Sequence, residues 1–232
     1  MKKVKLFCIP CAGGTAVSYL KWKNYLHYMI ELCPIELRNR GKRLSEQAYE
    51  DIDEAVNDVF NSIKYSITDR DYALFGHSMG GLIVYELYYK LYNYKIPLPK
   101  NIFIFGKEPP SIPYSGKIYH KLNDEDFKES IMNIGGTPNE VIENEEVYNF
   151  FAPIIKGDFR ITERYIYNQK ETLMDCNIVV INGREDKISS NNLDEYKKYT
   201  NKKCSIHWIK GGHFSLYENP LETLRIINNS LI

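Results

Sequence analysis

Residues 72–81 read Tyr-Ala-Leu-Phe-Gly-His-Ser-Met-Gly-Gly, and this stretch decides how the rest of the chain can be arranged. An apolar run of strand length ends at Gly76, and a helical pattern begins just after Ser78. Gly-x-Ser-x-Gly between a strand and a helix is typical of a tight, strained turn with a serine at its tip. Small residues are needed at Gly76 and Gly80 because the two backbones pass too closely there for a side chain. The helix dipole favours negative charge beside the serine. We therefore predict that Ser78 is a nucleophile, the alternative being an ordinary Gly/Ser-rich turn.

The rest of the chain alternates between strand and helix patterns. Strands are predicted at Val4–Ile9, Leu32–Leu37, Tyr72–Phe75, Ile102–Phe105, Ile178–Asn182 and Ser205–Ile209. Helices are predicted at Tyr19–Tyr28, 51–67, 79–92, Leu193–Tyr199 and Leu221–Leu231. This alternation predicts an α/β fold with a mostly parallel central sheet flanked by helices.

Residues 120–170 interrupt the alternation, because they are helical in pattern, acidic, and contain no strong strand. A helical insertion between two late strands would lie over the strand ends as a lid. We expect one domain, 1–232, with a lid subdomain at approximately 115–170. Apolar lid residues that could line an acyl groove, or could only pack the lid's own small core, include Phe127, Ile131, Phe150 and Phe151.

Composition is that of an ordinary globular protein, with 44% hydrophobic and 26% charged residues among 232. Lys+Arg and Asp+Glu both number 30, so the net charge is zero and nothing indicates a nucleic-acid or anionic membrane partner. No apolar run reaches the roughly 18 residues of a membrane span, and the N-terminal residues lack the pattern of a signal peptide. We expect a cytoplasmic protein.

Five cysteines, an odd number, do not indicate a disulfide framework. Cys8-x-x-Cys11 lies at the end of a predicted strand, and no second pair at ligand spacing accompanies it. We therefore expect no metal or redox site, and place Cys8 in the core.

A catalytic serine needs a base within hydrogen-bond reach, and the base needs an acid that orients it. In a parallel sheet such groups converge only at the carboxyl ends of the strands. Asp186 follows the strand Ile178–Asn182, and His213 follows the strand Ser205–Ile209. The order Ser78, Asp186, His213 is the chain order of α/β-hydrolases. Glu185 competes with Asp186, which we prefer because it lies further into the loop.

The other histidines are weaker candidates for the base. His27 is predicted within a helix, His207 in mid-strand and His120 where the lid begins, whereas His77 cannot reach its neighbour's hydroxyl productively. We interpret them as surface or packing residues. Two backbone N–H groups are expected to stabilise an oxyanion: that of Met79, after the nucleophile, and that of Ala12, in the glycine-containing loop after the first strand. The alternative for the second loop is a tight turn and nothing more.

The sequence resembles the type II thioesterases, stand-alone α/β-hydrolases that accompany nonribosomal peptide and polyketide synthases. The resemblance rests on the loop at 6–14, the motif at 75–81, the acid and base loops ending at Asp186 and His213, and a lid signature. That signature, the most specific part, is Gly135-Gly136-Thr137-Pro138 followed by Asp158-Phe159-Arg160 and Glu163. The sequence departs from the family at Cys11, usually an aromatic residue or His, at Arg38-Asn39, usually Pro-Gly, and at Gly81, often Ala.

The resemblance implies a thioester hydrolase that removes stalled or misprimed acyl groups from the phosphopantetheine arm of carrier proteins. The implied partners are carrier domains of a nonribosomal peptide or polyketide synthase. We expect no cofactor of the enzyme itself, since the substrate carries the phosphopantetheine, and we expect a monomer. The alternatives are a carboxylesterase or acyltransferase that acts on small esters, and a catalytically silent partner of a synthase.

Overall fold

The computed structural model describes residues 2–67, 71–188 and 190–232, and a parallel sheet of six strands lies at its centre. The strands are β1 (Val4–Ile9), β2 (Ile30–Pro34), β3 (Tyr72–His77), β4 (Asn101–Phe105), β5 (Asn177–Gly183) and β6 (Cys204–Ile209). Their order across the sheet is β2-β1-β3-β4-β5-β6, and every neighbouring pair is parallel. The predicted α/β fold with a parallel sheet is confirmed.

Helices cover both faces of the sheet. They are α1 (Ile52–Ile63), α2 (Met79–Asn93), α3 (Asp124–Ile134), α4 (Asn139–Glu143), α5 (Glu145–Glu163), α6 (Ser190–Leu193), α7 (Ser215–Glu218) and α8 (Pro220–Leu231). Alternate side chains of each central strand point to opposite faces. Phe7 and Leu74 pack with α1 and α2, whereas Leu6 and Phe75 pack with α8. No helix among these residues is both long and apolar enough to cross a membrane.

Two predicted helices are wrong in type. Ala16–Asn24 form a 3₁₀ helix instead of an α-helix over Tyr19–Tyr28, and His27 lies outside it. The helix predicted at Leu193–Tyr199 is the single turn α6 followed by a 3₁₀ helix, Asp194–Lys198. In each segment the buried residues are three apart, Tyr19 with Trp22 and Leu193 with Tyr196. That spacing matches the three residues per turn of a 3₁₀ helix.

Two predicted boundaries are also wrong. The strand expected at Leu32–Leu37 runs from Ile30 to Pro34, and proline, which has no N–H to donate, occupies its last position. Helix α1 ends at Ile63 rather than Ile67. Its start agrees with the acidic first turn, because Asp51 accepts a hydrogen bond from the Glu54 N–H at 2.8 Å.

The strand order reverses direction at β1, since β2 lies on one side of it and β3 on the other. Ligands of open α/β sheets bind in the crevice at such a point, outside the carboxyl ends of the strands. The loops that follow β1 and β3 contain Ala12 and Ser78, so both open into this crevice. Helices α3, α4 and α5 lie between β4 and β5 in the chain, where the lid was predicted.

We expect Gly76→Ala to disrupt the turn between β3 and α2. A Cβ at this position would stand 2.1 Å from the Gly80 carbonyl oxygen, a clash with backbone that no rotamer relieves. The free energy of unfolding in urea should fall by at least about 2 kcal/mol. Gly157→Ala is the matched control, because nothing lies within 4 Å of its Cβ position in α5. It should raise stability by up to about 1 kcal/mol. Equal effects of the two changes would contradict this account of the turn.

Candidate active site

Ser78 has a backbone conformation that L-residues rarely adopt. Its φ is 53° and its ψ is −114°, and it directly precedes the first residue of α2. The Ser78 N–H donates to the Phe105 carbonyl at 2.8 Å, and its own carbonyl accepts from the Gly81 N–H at 2.9 Å. Strained backbone of this kind persists only where its surroundings fix it, and it is concentrated at functional sites.

His213 and Asp186 form a hydrogen-bonded pair, as the sequence predicted for a base and its orienting acid. The distance from Nδ1 to Oδ2 is 2.7 Å, and the second Asp186 oxygen accepts from the Lys187 N–H at 2.8 Å. The competing acid, Glu185, is exposed. The two loops touch at Gly183, where a Cβ would stand 2.3 Å from the Gly211 carbonyl oxygen. The pair is thus fixed by direct backbone contact.

The end of β4 connects Ser78 to this pair. Phe105 accepts the Ser78 N–H, and the next residue, Gly106, lies against the imidazole of His213. A Cβ on Gly106 would stand 3.1 Å from both Cε1 and Nδ1 of that ring. The positive φ of 60° at Gly106 also favours glycine. Ser78, Asp186 and His213 therefore lie on adjoining loops at the carboxyl end of the sheet.

The loop after β1 lies beside the start of α2. A Cβ on Gly80 would stand 2.2 Å from the Ile9 carbonyl oxygen. The Gly13 N–H donates to Asp158 and the Gly14 N–H to Cys11, whereas the Ala12 N–H has no partner among the residues that the structure describes. Met79 is the first residue of α2, where N–H groups have no acceptor within the helix. Both predicted oxyanion donors are therefore available.

The lid signature anchors α5 to the rest of the molecule. Asp158, which is buried, accepts from the Gly13 N–H at 2.8 Å and pairs with the buried Arg40 through bonds of 2.6 and 2.8 Å. Glu163 accepts from the Tyr119 and His120 N–H groups at 2.8 and 3.2 Å, which fixes the start of the lid to the end of α5. The signature thus joins the lid to the loop that contains Ala12.

The lid also touches the loop that carries His213. Gly136 has a φ of 79°, and a Cβ there would stand 2.3 Å from the ring of Phe214. On the other side, a Cβ on Gly13 would stand 2.6 Å from Cγ1 of Ile155 in α5. Glycines therefore allow the lid to approach both the base loop and the oxyanion loop.

The predicted lid residues differ in their environments. Phe127 and Ile131 are buried, and Phe127 packs edge-on to Phe159 at a centroid distance of 6.2 Å. Phe150 is 49% exposed and packs against the partly buried Phe151. Phe127 and Ile131 therefore contribute to the lid's own packing. Of these four residues, only Phe150 and Phe151 keep surface that a ligand could contact.

Of the two roles predicted for His77, surface or packing, the structure confirms packing, because its side chain is fully buried. The sequence analysis did not foresee its hydrogen bond to the backbone of His213. Its position as the last residue of a buried strand, directly before Ser78, was the available signal. His120 does lie where the lid begins, and its side chain bonds to Glu163.

Cys8 and Cys11, at the end of β1 and in the loop after it, are free and buried, and Cys8 lies in the core as predicted. Burial raises the pKa of the Cys11 thiol to about 12, so it is protonated at neutral pH. Within the described parts of the chain, no three His, Cys, Asp or Glu side chains are grouped so that they could hold a metal ion.

Comparison with known proteins gives a consistent result. Residues 4–231 match the thioesterase domain family. LgrE of Brevibacillus parabrevis, named linear gramicidin dehydrogenase, is 32% identical over 99% of this chain and 88% of its own. The structure of ClbQ from the colibactin pathway has a TM-score of 0.94 at 32% identity, covering 99% of this chain and 97% of its own. The structure of BorB, a type II thioesterase from the borrelidin biosynthetic cluster, has a TM-score of 0.89 at 28% identity, covering 99% of this chain and 93% of its own.

The name of LgrE includes the word dehydrogenase, but the G-x-G-x-x-G fingerprint of dinucleotide-binding enzymes does not occur in this sequence. The strained serine, the neighbouring His–Asp pair and the helical lid agree instead with the family match and with the structural neighbours. The chain belongs to the thioesterase family, and it is a serine hydrolase of the type II thioesterase kind with an α/β-hydrolase fold.

Proposed function

We propose that this protein hydrolyses acyl thioesters on the phosphopantetheine arm of carrier domains, in a pathway that uses a nonribosomal peptide or polyketide synthase. The single observation that carries the chemistry is the strained Ser78 at the start of α2, beside the hydrogen-bonded pair of His213 and Asp186. ClbQ is described as coming from the colibactin NRPS/PKS pathway, and BorB as a type II thioesterase of a biosynthetic cluster; both descriptions support the choice of substrate.

His213 takes the proton of the Ser78 hydroxyl as the oxygen attacks the thioester carbonyl. Asp186 accepts the Nδ1–H of His213, which leaves Nε2 free to act as the base and stabilises the imidazolium that forms. The N–H groups of Met79 and Ala12 donate to the oxyanion, whose charge is also favoured by the helix dipole of α2.

The acyl–sulfur bond then breaks, and the thiolate takes the proton from His213. A thiol has a pKa of about 8.5, far below that of an alcohol, so it leaves more readily than the alkoxide of an oxygen ester. A water molecule deprotonated by His213 attacks the acyl-enzyme and releases the free acid. No cofactor of the enzyme takes part in these steps.

The direct test is mass spectrometry of an acyl-loaded carrier protein after incubation with the wild type and with Ser78→Ala. We expect free acid and deacylated carrier with the wild type only. Transfer of the acyl group to an added alcohol or amine would indicate an acyltransferase. Fast cleavage of small oxygen esters with an untouched carrier would indicate a carboxylesterase. Binding of the carrier without turnover would indicate a silent partner, and each of these three results contradicts the proposal.

Asp186→Asn should lower kcat by about 10³- to 10⁴-fold, because an amide no longer selects the tautomer of His213 that can act as a base. Glu185→Gln is the matched control one residue away, and its exposed side chain predicts a change within about twofold. Steady-state hydrolysis of an acyl thioester measures both. The assignment of the acid is wrong if the Glu185 change is the more damaging one.

Phe150→Ala should change the preference for acyl chain length if this ring lines the acyl groove. Thermal stability should stay nearly unchanged, because the ring is half-exposed on α5 and loses little buried area. Met132→Ala is the control, since Met132 is similarly exposed, at 55%, on α3. Phe127→Ala should instead lower the free energy of unfolding by about 3–5 kcal/mol. Rates for a series of acyl thioesters test this, and an unchanged preference in Phe150→Ala would leave these side chains with a packing role only.

A further inference from the structure

His77 links the turn of the nucleophile to the loop of the catalytic histidine. Its side chain is fully buried, and Nε2 lies 2.9 Å from the carbonyl oxygen of His213. The two imidazole rings are 4.9 Å apart. The rings of Phe105 and Phe214 meet His77 edge-on at 5.4 and 5.5 Å, so packing fixes its orientation.

The contact settles which nitrogen carries the proton. A carbonyl oxygen can only accept, so Nε2 of His77 must be protonated. Nδ1 lies 3.3 Å from the Tyr217 hydroxyl, and a neutral imidazole accepts there. Burial and the charge of His213 hold the pKa of His77 well below its ordinary value, which agrees with a neutral ring.

Tyr217 connects this arrangement to the oxyanion loop. Its hydroxyl lies beside the Cys11 thiol and the Tyr19 hydroxyl, and the Tyr19 hydroxyl also donates to the Ile9 carbonyl at 3.1 Å. Burial raises the pKa of Tyr217 well above its ordinary value, so the phenol stays protonated, with Nδ1 of His77 among the acceptors within reach of its hydroxyl. One chain of polar contacts thus runs beneath the site from the end of β1 to His213.

The loop of His213 needs such support. Gly211 and Gly212 precede His213, Gly211 has a φ of 98°, and no atom lies within 4 Å of the Cβ position of Gly212. The carbonyls of both glycines accept hydrogen bonds, from the Glu185 N–H at 3.0 Å and the Ser215 N–H at 3.2 Å, but glycine leaves the backbone next to His213 freer than any other residue would. Displacement of a catalytic group by about 1 Å can cost about a hundredfold in rate.

We propose that His77 is a positioning residue for His213. Its Nε2–H fixes the backbone carbonyl of the base, and the Tyr217 hydroxyl holds the opposite side of the ring through its contact with Nδ1. The proposal rests on the proposed function, in which His213 activates Ser78. The proposal predicts that a variant without the Nε2–H of His77 loses turnover even where the protein remains folded.

The test measures the reaction of Ser78 with a fluorophosphonate probe, as the maximal rate of inactivation kinact and the half-saturation concentration KI. His77→Leu keeps an apolar side chain but removes the donor, and kinact should fall about tenfold to a hundredfold with KI little changed. His77→Gln places an amide N–H near the position of Nε2 and should recover most of the lost rate. Tyr217→Phe should lower kinact about three- to tenfold.

Tyr72→Phe is the matched control for Tyr217→Phe, because it removes a hydrogen-bonded tyrosine hydroxyl, which donates to the Pro97 carbonyl, at the opposite end of β3 from the site. It should leave kinact unchanged. Thermal unfolding of each variant separates a loss of rate from a loss of fold. The proposal is overturned if His77→Leu reacts like the wild type, or if His77→Gln loses as much rate as His77→Leu.

If His77→Leu does not fold, the comparison of Tyr217→Phe with Tyr72→Phe decides, and equal kinact values overturn the proposal. The probe reports the reactivity of Ser78 whatever the substrate, with Ser78→Ala as the blank. A wild type that reacts with the probe but leaves acyl carriers intact would refute the proposed function alone. A normal kinact in the His77 and Tyr217 variants would refute the positioning role alone.

Discussion

The close approach of two backbones, at the end of β3 and the start of α2, is the constraint on which the site depends. The Gly80 carbonyl oxygen stands 2.1 Å from the position that a Cβ of Gly76 would occupy, so Gly76 must lack a side chain. Gly80 must lack one as well, because its Cβ would stand 2.2 Å from the Ile9 carbonyl oxygen at the end of β1. The turn between them holds Ser78 at a φ of 53° and directs the N–H groups of α2 toward the same crevice. Because the sheet is parallel, the loops after β4, β5 and β6 meet at this edge, and Gly106 leaves room for the imidazole of His213. The chemistry that we propose follows from this crowding of backbone at one end of the sheet.

A buried ion pair, as well as apolar contacts, joins the lid to the loops at the carboxyl end of the sheet. Arg40 and Asp158 are 3% and 4% exposed, and Asp158 also accepts the N–H of Gly13 next to Ala12. Removing either partner would leave the other charge buried without compensation, a change that typically costs about 3–5 kcal/mol. A second Arg–Asp pair, Arg43 with Asp58, lies nearby but makes no bond to the oxyanion loop. The family signature in α5 therefore has a physical basis, since it fixes the lid over the loops that flank Ser78.

Sequence patterns predicted the structure correctly where it follows from local residue patterns and the topology of a parallel sheet. The alternation of strand and helix patterns predicted the parallel sheet. Because the carboxyl ends of parallel strands converge, the sequence also predicted that Asp186 and His213 would meet, and Oδ2 of Asp186 lies 2.7 Å from Nδ1 of His213. Patterns failed where the outcome depends on tertiary packing, as in the 3₁₀ helix at Ala16–Asn24, whose apolar residues also suit an α-helix. They could not reveal that His77 bonds to the backbone of His213, because these residues are 136 positions apart and the contact involves a main-chain atom. The pairing of Arg40 with Asp158, 118 positions apart, was out of reach for the same reason.

The central claim is that thioester hydrolysis proceeds through an acyl-enzyme on Ser78, and it can be tested most directly by relating modification of this residue to loss of activity. The wild type would be labelled to increasing extents with a fluorophosphonate, the adduct located by peptide mass spectrometry, and the remaining thioesterase activity measured in the same samples. The account predicts one adduct, on Ser78, and activity that falls in proportion to the labelled fraction. Fully labelled Ser78 with undiminished thioester hydrolysis, or inactivation that tracks an adduct on another residue, would contradict it.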